Sequence, residues 1–177
     1  MVAWFDGGHL SKSPAQWDVA KLDWVNAHYL KALPAPRLLA LVKAQLARRE
    51  IFGPADDAVL RACAVFRDRC STVGELADWL AIVFADVAPS PADVAQHVTG
   101  AVRPALATLH DKLADVPWDK AAIAQAVKET LAAHGLKLPQ LAPAVRVLVC
   151  GRAQTPSLDA VLEVFDRATV LARLARV

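Results

Sequence analysis

The sequence predicts an all-α protein built as two or three helical bundles. The composition favours helices, because alanine, the residue with the best intrinsic helix propensity, is abundant and only 7 of the 177 residues are glycine. Apolar residues also recur at intervals of three and four along most of the chain, which is the spacing of a helix with one buried face. Finally, capping residues or prolines precede most of these segments, and proline or glycine follows them.

Three helices are expected before residue 70, over residues 18–33, 36–52 and 54–69. Asp18 can cap the first helix, and Pro34 stops it. The apolar residues of that helix are Leu22, Val25, Tyr29, Leu30 and Leu33. Asp56 and Asp57 place negative charge in the first turn of the third helix, where it complements the helix dipole.

The middle of the chain carries equally clear boundaries. Thr72–Glu75 has the Thr-x-x-Glu spacing of a capping box and predicts a helix start. Another helix should begin at Ser90, but Gly100 and Pro104 interrupt it, so a kink or two shorter helices are expected there. The next helix should end at Gly135, a residue suited to a left-handed C-cap.

The C-terminal part contains one ambiguous segment. The alternating valines in residues 145–149 could form a strand, but such a strand would have nothing to pair with, so a helix is expected. Thr155 and Pro156 read as the cap and first position of the next helix, and a final helix should begin near Arg167.

Composition narrows the protein class. Hydrophobic residues make up 55% of the chain and charged residues 21%, which excludes a disordered protein. The longest strongly apolar stretch, residues 76–88, is too short to span a bilayer, and the N-terminus does not have the pattern of a signal peptide. A soluble, cytoplasmic protein without membrane association is therefore expected.

Three cysteines raise the question of a redox or metal site. Cys63 and Cys70 are seven residues apart, which places them on one face of a helix, but neither they nor Cys150 form a CxxC pair. The expectation is that all three are reduced, buried thiols. The histidines show no tight metal-ligand spacing, so no metal site is predicted.

Charge and aromatic residues give two further expectations. The segment 137–177 carries six basic and three acidic residues, which indicates a polyanionic partner. The tryptophans are expected in the core rather than as platforms for stacked bases. They are Trp4, Trp17, Trp24, Trp79 and Trp118.

The stretch GGHLSKSP, residues 7–14, resembles the lysine loop that class I aminoacyl-tRNA synthetases hold over ATP. That chemistry also needs a nucleotide-binding parallel sheet and a HIGH-type motif, and neither pattern occurs. Lys12 is therefore interpreted as connecting structure, and no catalytic residue is predicted. The large apolar residues at positions 1–5 suggest a chain cut through a structural element.

Three ordered motifs resemble those of bacterial glutamyl-tRNA synthetases. They are WDVAKLDWVNAHYLK (residues 17–31), RDRCSTVGEL (residues 67–76) and KLPQLAPAVRVLVCGRAQTPSLDAVL (residues 137–162). In that family the first motif marks the helix after the catalytic domain, and GGHLSKSP looks like the linker before it. The sequence is thus identified as similar to the C-terminal, anticodon-binding region of this family.

The resemblance implies a domain organisation. Residues 1–34 would be a linker and the end of the stem-contact helical domain. Residues 35–136 would form a first anticodon-binding helical subdomain, and residues 137–177 a second one.

The resemblance also implies site residues. The family's Arg-x-x-Thr arginine, here Arg69, reads the third anticodon base. The first and second bases are contacted through the positions of Arg146, Thr155, Pro156, Ser157 and Leu158. Ser157 stands where the family often has glycine, and Pro143-Ala144 stands where it often has Gln-Pro, so the base contacts near these positions can differ from the family's.

The implied partner is tRNA(Glu), with no DNA partner and a monomeric state. The full-length enzyme would ligate glutamate to this tRNA with ATP and Mg²⁺, whereas this fragment would bind no cofactor and be inactive alone. Two other interpretations are a free-standing helical protein-interaction module and a small helical enzyme. A glutaminyl-tRNA synthetase is disfavoured, since its anticodon region is β-barrel.

Overall fold

The structure is a computed structural model that describes residues 17–176, and its regular elements over that range are all helical. A short 3-10 turn, Arg67–Arg69, follows the third α-helix. The α-helices are α1 (Val19–Ala32), α2 (Ala35–Ala47), α3 (Asp56–Phe66), α4 (Val73–Phe84), α5 (Pro91–His97), α6 (Arg103–Asp115), α7 (Lys120–His134), α8 (Leu138–Cys150), α9 (Leu158–Val164) and α10 (Arg167–Leu174). The all-α prediction is confirmed.

Most of the predicted helix boundaries are confirmed by their capping bonds. The Asp18 carboxylate accepts from the backbone N–H of Lys21 at 3.1 Å, at the start of α1. At the start of α4 the Thr72 hydroxyl accepts from the backbone N–H of Glu75 at 3.1 Å, while the Glu75 carboxylate accepts from that of Ser71 at 2.7 Å. These side chains satisfy donors that the first turn of a helix leaves unpaired.

The end of the second helix differs from the prediction. The second helix ends at Ala47 rather than continuing to residue 52. The chain then turns through Glu50 and Gly53, which have φ angles of 59° and 97°, so a continuous helix cannot pass through them.

The expected helix in residues 145–149 is confirmed, because this segment lies within α8.

One connected set of buried side chains extends from Leu30 to Leu174. Around it, α2 packs on α4, α3 packs on α4 and α9, and α7 packs on α6 and α9. The last helix, α10, packs on α6 and α8. Helices from residues 35–136 and from residues 137–176 thus share this core, and the predicted division between them at residue 136 stays a prediction.

The expected core placement of the tryptophans is wrong for two of them. Trp17 is 74% exposed and Trp24 is 70% exposed, whereas Trp79 and Trp118 are half-buried. Trp4 lies outside the described residues. The apolar spacing of α1 is real, but of its residues only Leu30 is buried, since periodicity does not reveal whether a neighbouring element covers the apolar face.

The cysteine prediction is confirmed: Cys63, Cys70 and Cys150 are free thiols, and all three are buried. Burial raises the pKa of Cys63 and of Cys70 to about 11, and that of Cys150 to about 12. No helix within residues 17–176 has the length and apolar character needed to cross a membrane. The GGHLSKSP stretch and Lys12 lie outside the described residues.

Candidate nucleic-acid interface

An open cleft of about 750 Å³ lies where the end of α3, helix α4 and the loop after α8 meet. Its lining residues are Arg69, Trp79, Arg152, Ala153 and Gln154. Arg69 ends the 3-10 turn, and Trp79 lies in the middle of α4. The fold therefore brings one predicted site residue, Arg69, against the segment that precedes the predicted Thr155–Leu158 group.

The wall of this cleft contains a layered stack of three side chains. The rings of Phe66 and Trp79 are nearly parallel, at an angle of 11°, with their centroids 5.1 Å apart. On the Trp79 ring lies Arg152, whose guanidinium carbon is 4.5 Å from the ring centroid. Phe66 is buried, Trp79 is half-buried and Arg152 is exposed, so the stack extends from the core to the surface.

The loop after α8 begins at Gly151, which has a left-handed φ of 65°. A Cβ atom added to Gly151 would lie 2.8 Å from Cγ1 of Val87, so this position requires glycine for both its backbone conformation and its contact. The close approach fixes the point from which the loop leaves α8 and enters the cleft.

Arg146 lies on α8 against the far end of the same loop. Its Nη2 donates to the carbonyl oxygen of Pro156 at 3.5 Å, the outer limit for such a bond. The Nε of Arg146 is buried and has no hydrogen-bond partner among the described residues. The structure thus brings Arg146 to the predicted Thr155–Leu158 group, but it holds the guanidinium weakly.

The expected start of α9 at Thr155 and Pro156 is wrong by two residues. Ser157 is the N-cap, Leu158 is the first helical residue, and the Ser157 side chain makes no capping bond. Thr155 is buried and its hydroxyl donates to the carbonyl oxygen of Pro156 at 3.0 Å. The unpaired backbone donors of the helix start therefore lie at Leu158 and the residues after it, rather than at Thr155 to Ser157.

Several arginines of the basic C-terminal segment make hydrogen bonds within the protein. Arg167 donates to the carbonyl oxygens of Ala114 and Val116 at 2.8 and 2.6 Å. Arg176 donates to the carbonyl oxygen of Val87 and to the carboxylate of Asp86, and this hydrogen bond is the main reason that the pKa of Asp86 is lowered. These arginines satisfy internal acceptors, so their charge is weak evidence for a polyanionic partner.

Arg173 is the most deeply placed of these arginines, with only 3% of its surface exposed. It donates to the carbonyl oxygens of Ile82 and Ala85 at the end of α4, at 2.9 and 2.5 Å, and to that of Val149 at the end of α8, at 2.6 Å. Desolvation by burial lowers its pKa from the usual value. Because one guanidinium joins the two helix ends, it sets the position of the α8 loop relative to α4.

Arg152 and Trp79 are the site residues that sequence reasoning missed. Trp79 follows the apolar period of α4 and reads as a core residue, while Arg152 is one basic residue in a loop. Only the contact between their side chains, which joins distant parts of the chain, identifies them as residues of the candidate site. Within residues 17–176 no group of three or more His, Cys, Asp or Glu side chains is arranged to hold a metal ion.

Comparison with models of known protein families shows to which family the chain belongs. Residues 37–177 match the model of the family described as the anticodon binding domain. The chain belongs to this family.

Among curated relatives, glutamate–tRNA ligase of Leptothrix cholodnii is 54% identical over 178 residues, which cover 100% of this chain and 38% of that protein. Glutamate–tRNA ligase of Albidiferax ferrireducens is 54% identical over 98% of this chain and 37% of that protein. The chain therefore spans less than two fifths of the length of these relatives.

Solved structures share the fold. A glutamate tRNA ligase from Elizabethkingia meningosepticum, in complex with its amino acid, superposes with a TM-score of 0.84 at 17% identity, covering 97% of this chain and 34% of that one. The resemblance to glutamyl-tRNA synthetases is confirmed by these matches. They do not support the alternative of a free-standing protein-interaction module.

Proposed function

We propose that this chain is the anticodon-binding part of a glutamate–tRNA ligase and that it binds tRNA(Glu). The observation that carries the proposal is the cleft that Arg69 lines together with Arg152, Ala153 and Gln154 of the loop after α8. The far end of that loop lies against Arg146. The names of relatives that are 54% identical to this chain support glutamate as the amino acid.

The chemistry of these groups suits an anticodon loop. Anticodon bases are unpaired, so a protein can reach their edges directly, and an arginine fork can donate two hydrogen bonds to one base. Arg69 is exposed at the cleft and reads the third anticodon base. Arg146 and the Thr155–Leu158 group contact the first and second bases, and the weak hold on the Arg146 guanidinium leaves it able to exchange its internal acceptor for one on RNA.

The rest of the full-length protein would supply the chemistry. In this proposal the longer chain activates glutamate with ATP and Mg²⁺ and transfers it to tRNA(Glu), while residues 1–177 provide recognition, bind no cofactor and have no ligase activity alone. Residues 1–34 belong to the stem-contact region, and the two helical parts 35–136 and 137–177 contact the anticodon. The protein acts as a monomer in the cytoplasm.

The test is binding of the chain to tRNA(Glu) transcripts that differ at the third anticodon base, measured over a salt series. Phosphate contacts give a sequence-independent affinity that falls with salt, whereas base contacts give preference. Arg69→Gln should reduce the ratio of affinities for the native and the changed third base about tenfold. Arg61→Gln is the matched control, because Arg61 is exposed and its ion pair with Asp57 lies outside the cleft.

Loss of base preference in Arg69→Gln, with preference kept in Arg61→Gln, supports the proposal. Equal binding of the native chain to all transcripts would overturn the assignment of base readout to this chain. Absence of binding to any transcript would overturn tRNA as its partner.

A further inference from the structure

We propose that Arg152 is a stacking platform for an unpaired nucleobase, and that it holds the face of the same base whose edge Arg69 contacts. The inference deepens the proposed function and rests on it. It assigns a role to a residue that lies outside the Arg69, Arg146 and Thr155–Leu158 set.

The first argument is the order of the stack. Phe66 stacks on the Trp79 ring, and the Arg152 guanidinium lies over the same ring, so Trp79 is already contacted by two side chains. The next layer of this stack would lie on the Arg152 guanidinium. A planar guanidinium is one of the groups on which unstacked bases lie in protein–RNA complexes, alongside aromatic rings.

The second argument is preorganisation. A free arginine side chain loses rotamer freedom when it is ordered by a ligand, which reduces affinity. Contact with the Trp79 ring already orders the Arg152 side chain, and the Phe66 ring behind Trp79 is 1% exposed, so the support is part of the core. The platform is therefore assembled before RNA arrives, and the cation–π contact keeps its charge at the cleft.

The third argument is the position of Arg69. Both arginines line the same open cleft. A base stacked on Arg152 would present its hydrogen-bonding edge within this cleft, where Arg69 is the other cationic lining residue. Gln154, which also lines the cleft, offers an amide that can donate and accept.

The experiment is a double-mutant cycle between protein and RNA. Native chain and Arg152→Ala are each titrated with an anticodon stem-loop of tRNA(Glu) that carries either the normal third anticodon base or an abasic nucleotide there. Arg152→Ala should weaken binding of the normal stem-loop about tenfold, the scale of one base stack. With the abasic stem-loop the same substitution should change binding by less than about twofold, because the stacked base is gone.

Three comparisons separate stacking from other roles. Arg152→Lys keeps the charge but loses the planar guanidinium, so it should behave like Arg152→Ala towards the normal base. Arg61→Gln controls for loss of one positive charge at an exposed site outside the cleft. Thermal unfolding of each variant shows whether the substitution has disturbed the fold rather than the platform.

An equal loss from Arg152→Ala on normal and abasic stem-loops, restored by Arg152→Lys, would overturn stacking in favour of a phosphate contact. No loss from Arg152→Ala, together with a lost base preference in Arg69→Gln, would overturn the Arg152 role and leave the proposed function standing. Failure of the native chain to distinguish the normal from the abasic stem-loop would overturn both proposals.

Discussion

The Arg173 guanidinium donates to the carbonyl oxygen of Val149 at 2.6 Å, which joins the last helix to the end of α8. The same guanidinium donates to Ile82 and Ala85, at the end of α4. Carbonyls at helix C-termini lack intrahelical partners, and a cation there also complements the helix dipole. Arg173 therefore holds together the two helices whose ends frame the candidate interface.

Replacing Arg173 with methionine should lower the free energy of unfolding by about 3 kcal/mol, because two buried carbonyl oxygens and one part-buried carbonyl oxygen lose a charged donor at once. Urea unfolding measures the change. Arg176→Gln is the control just beyond the end of the same helix, since Arg176 is exposed and its removal should cost less than about 1 kcal/mol. Equal losses in the two variants would show that the hydrogen bonds of Arg173 do not stabilise the contact between the ends of α4 and α8.

Gly151→Ala should destabilise the protein more than Gly135→Ala. Both glycines are left-handed, with φ angles of 65° and 61°, so each alanine should cost about 1–2 kcal/mol for its backbone conformation. A Cβ at Gly151 would also approach Cγ1 of Val87 to 2.8 Å, whereas one at Gly135 meets nothing within 4 Å. The difference between their thermal midpoints measures the Val87 contact, and identical midpoints would contradict it.

The two helix starts at Thr72 and Ser157 should respond differently to alanine. Thr72 accepts a capping hydrogen bond from Glu75, so Thr72→Ala should cost about 1 kcal/mol. Ser157 makes no such bond, so Ser157→Ala should change stability by less than about 0.5 kcal/mol. Chemical denaturation of both variants tests whether the Ser157 side chain is without a capping hydrogen bond, and a larger loss at Ser157 than at Thr72 would contradict that.

The three thiols should react slowly with a thiol reagent at pH 8 in the native protein and quickly in urea. Burial raises the pKa of Cys150 to about 12 and that of Cys63 and Cys70 to about 11, so the reactive thiolate is scarce and covered. Because the unfolded chain loses these protons at lower pH than the folded one, stability should fall as pH rises above about 9. Rapid labelling of native protein at pH 8 would contradict the burial.

Helix positions were largely predictable because their causes are local. Asp18, Thr72 and Gly135 act within one turn of their own helices. In the structure Asp18 and Thr72 are N-caps and Gly135 is a left-handed C-cap, as predicted. The start of α9, which was predicted two residues too early, shows the limit of this reasoning. Thr155 is a good capping residue by type, but it is buried and donates to Pro156 instead, an outcome of packing rather than of propensity.

The candidate site was predictable only in part. Arg69 and the Thr155–Leu158 group were indicated by motifs, and the fold brings Arg69 to the loop that leads into that group. Arg152 was missed, because nothing in a single loop arginine shows that a distant tryptophan supports it. Conversely, Arg167, Arg173 and Arg176 added to the apparent basic character of the C-terminal segment although internal carbonyl oxygens hold them.

The sequence by itself determined the helical class, most helix ends, the free buried cysteines and the motifs shared with glutamyl-tRNA synthetases. Only the tertiary structure decided which arginines face an open cleft and which are buried. The reason is that spacing, caps and propensity act over a few residues, whereas the partners of a long, charged side chain are set by whichever distant backbone or ring the fold brings near. Arg152 and Arg173 are the same residue type in the same short segment, yet one lies over Trp79 at the surface and the other joins α4 to α8.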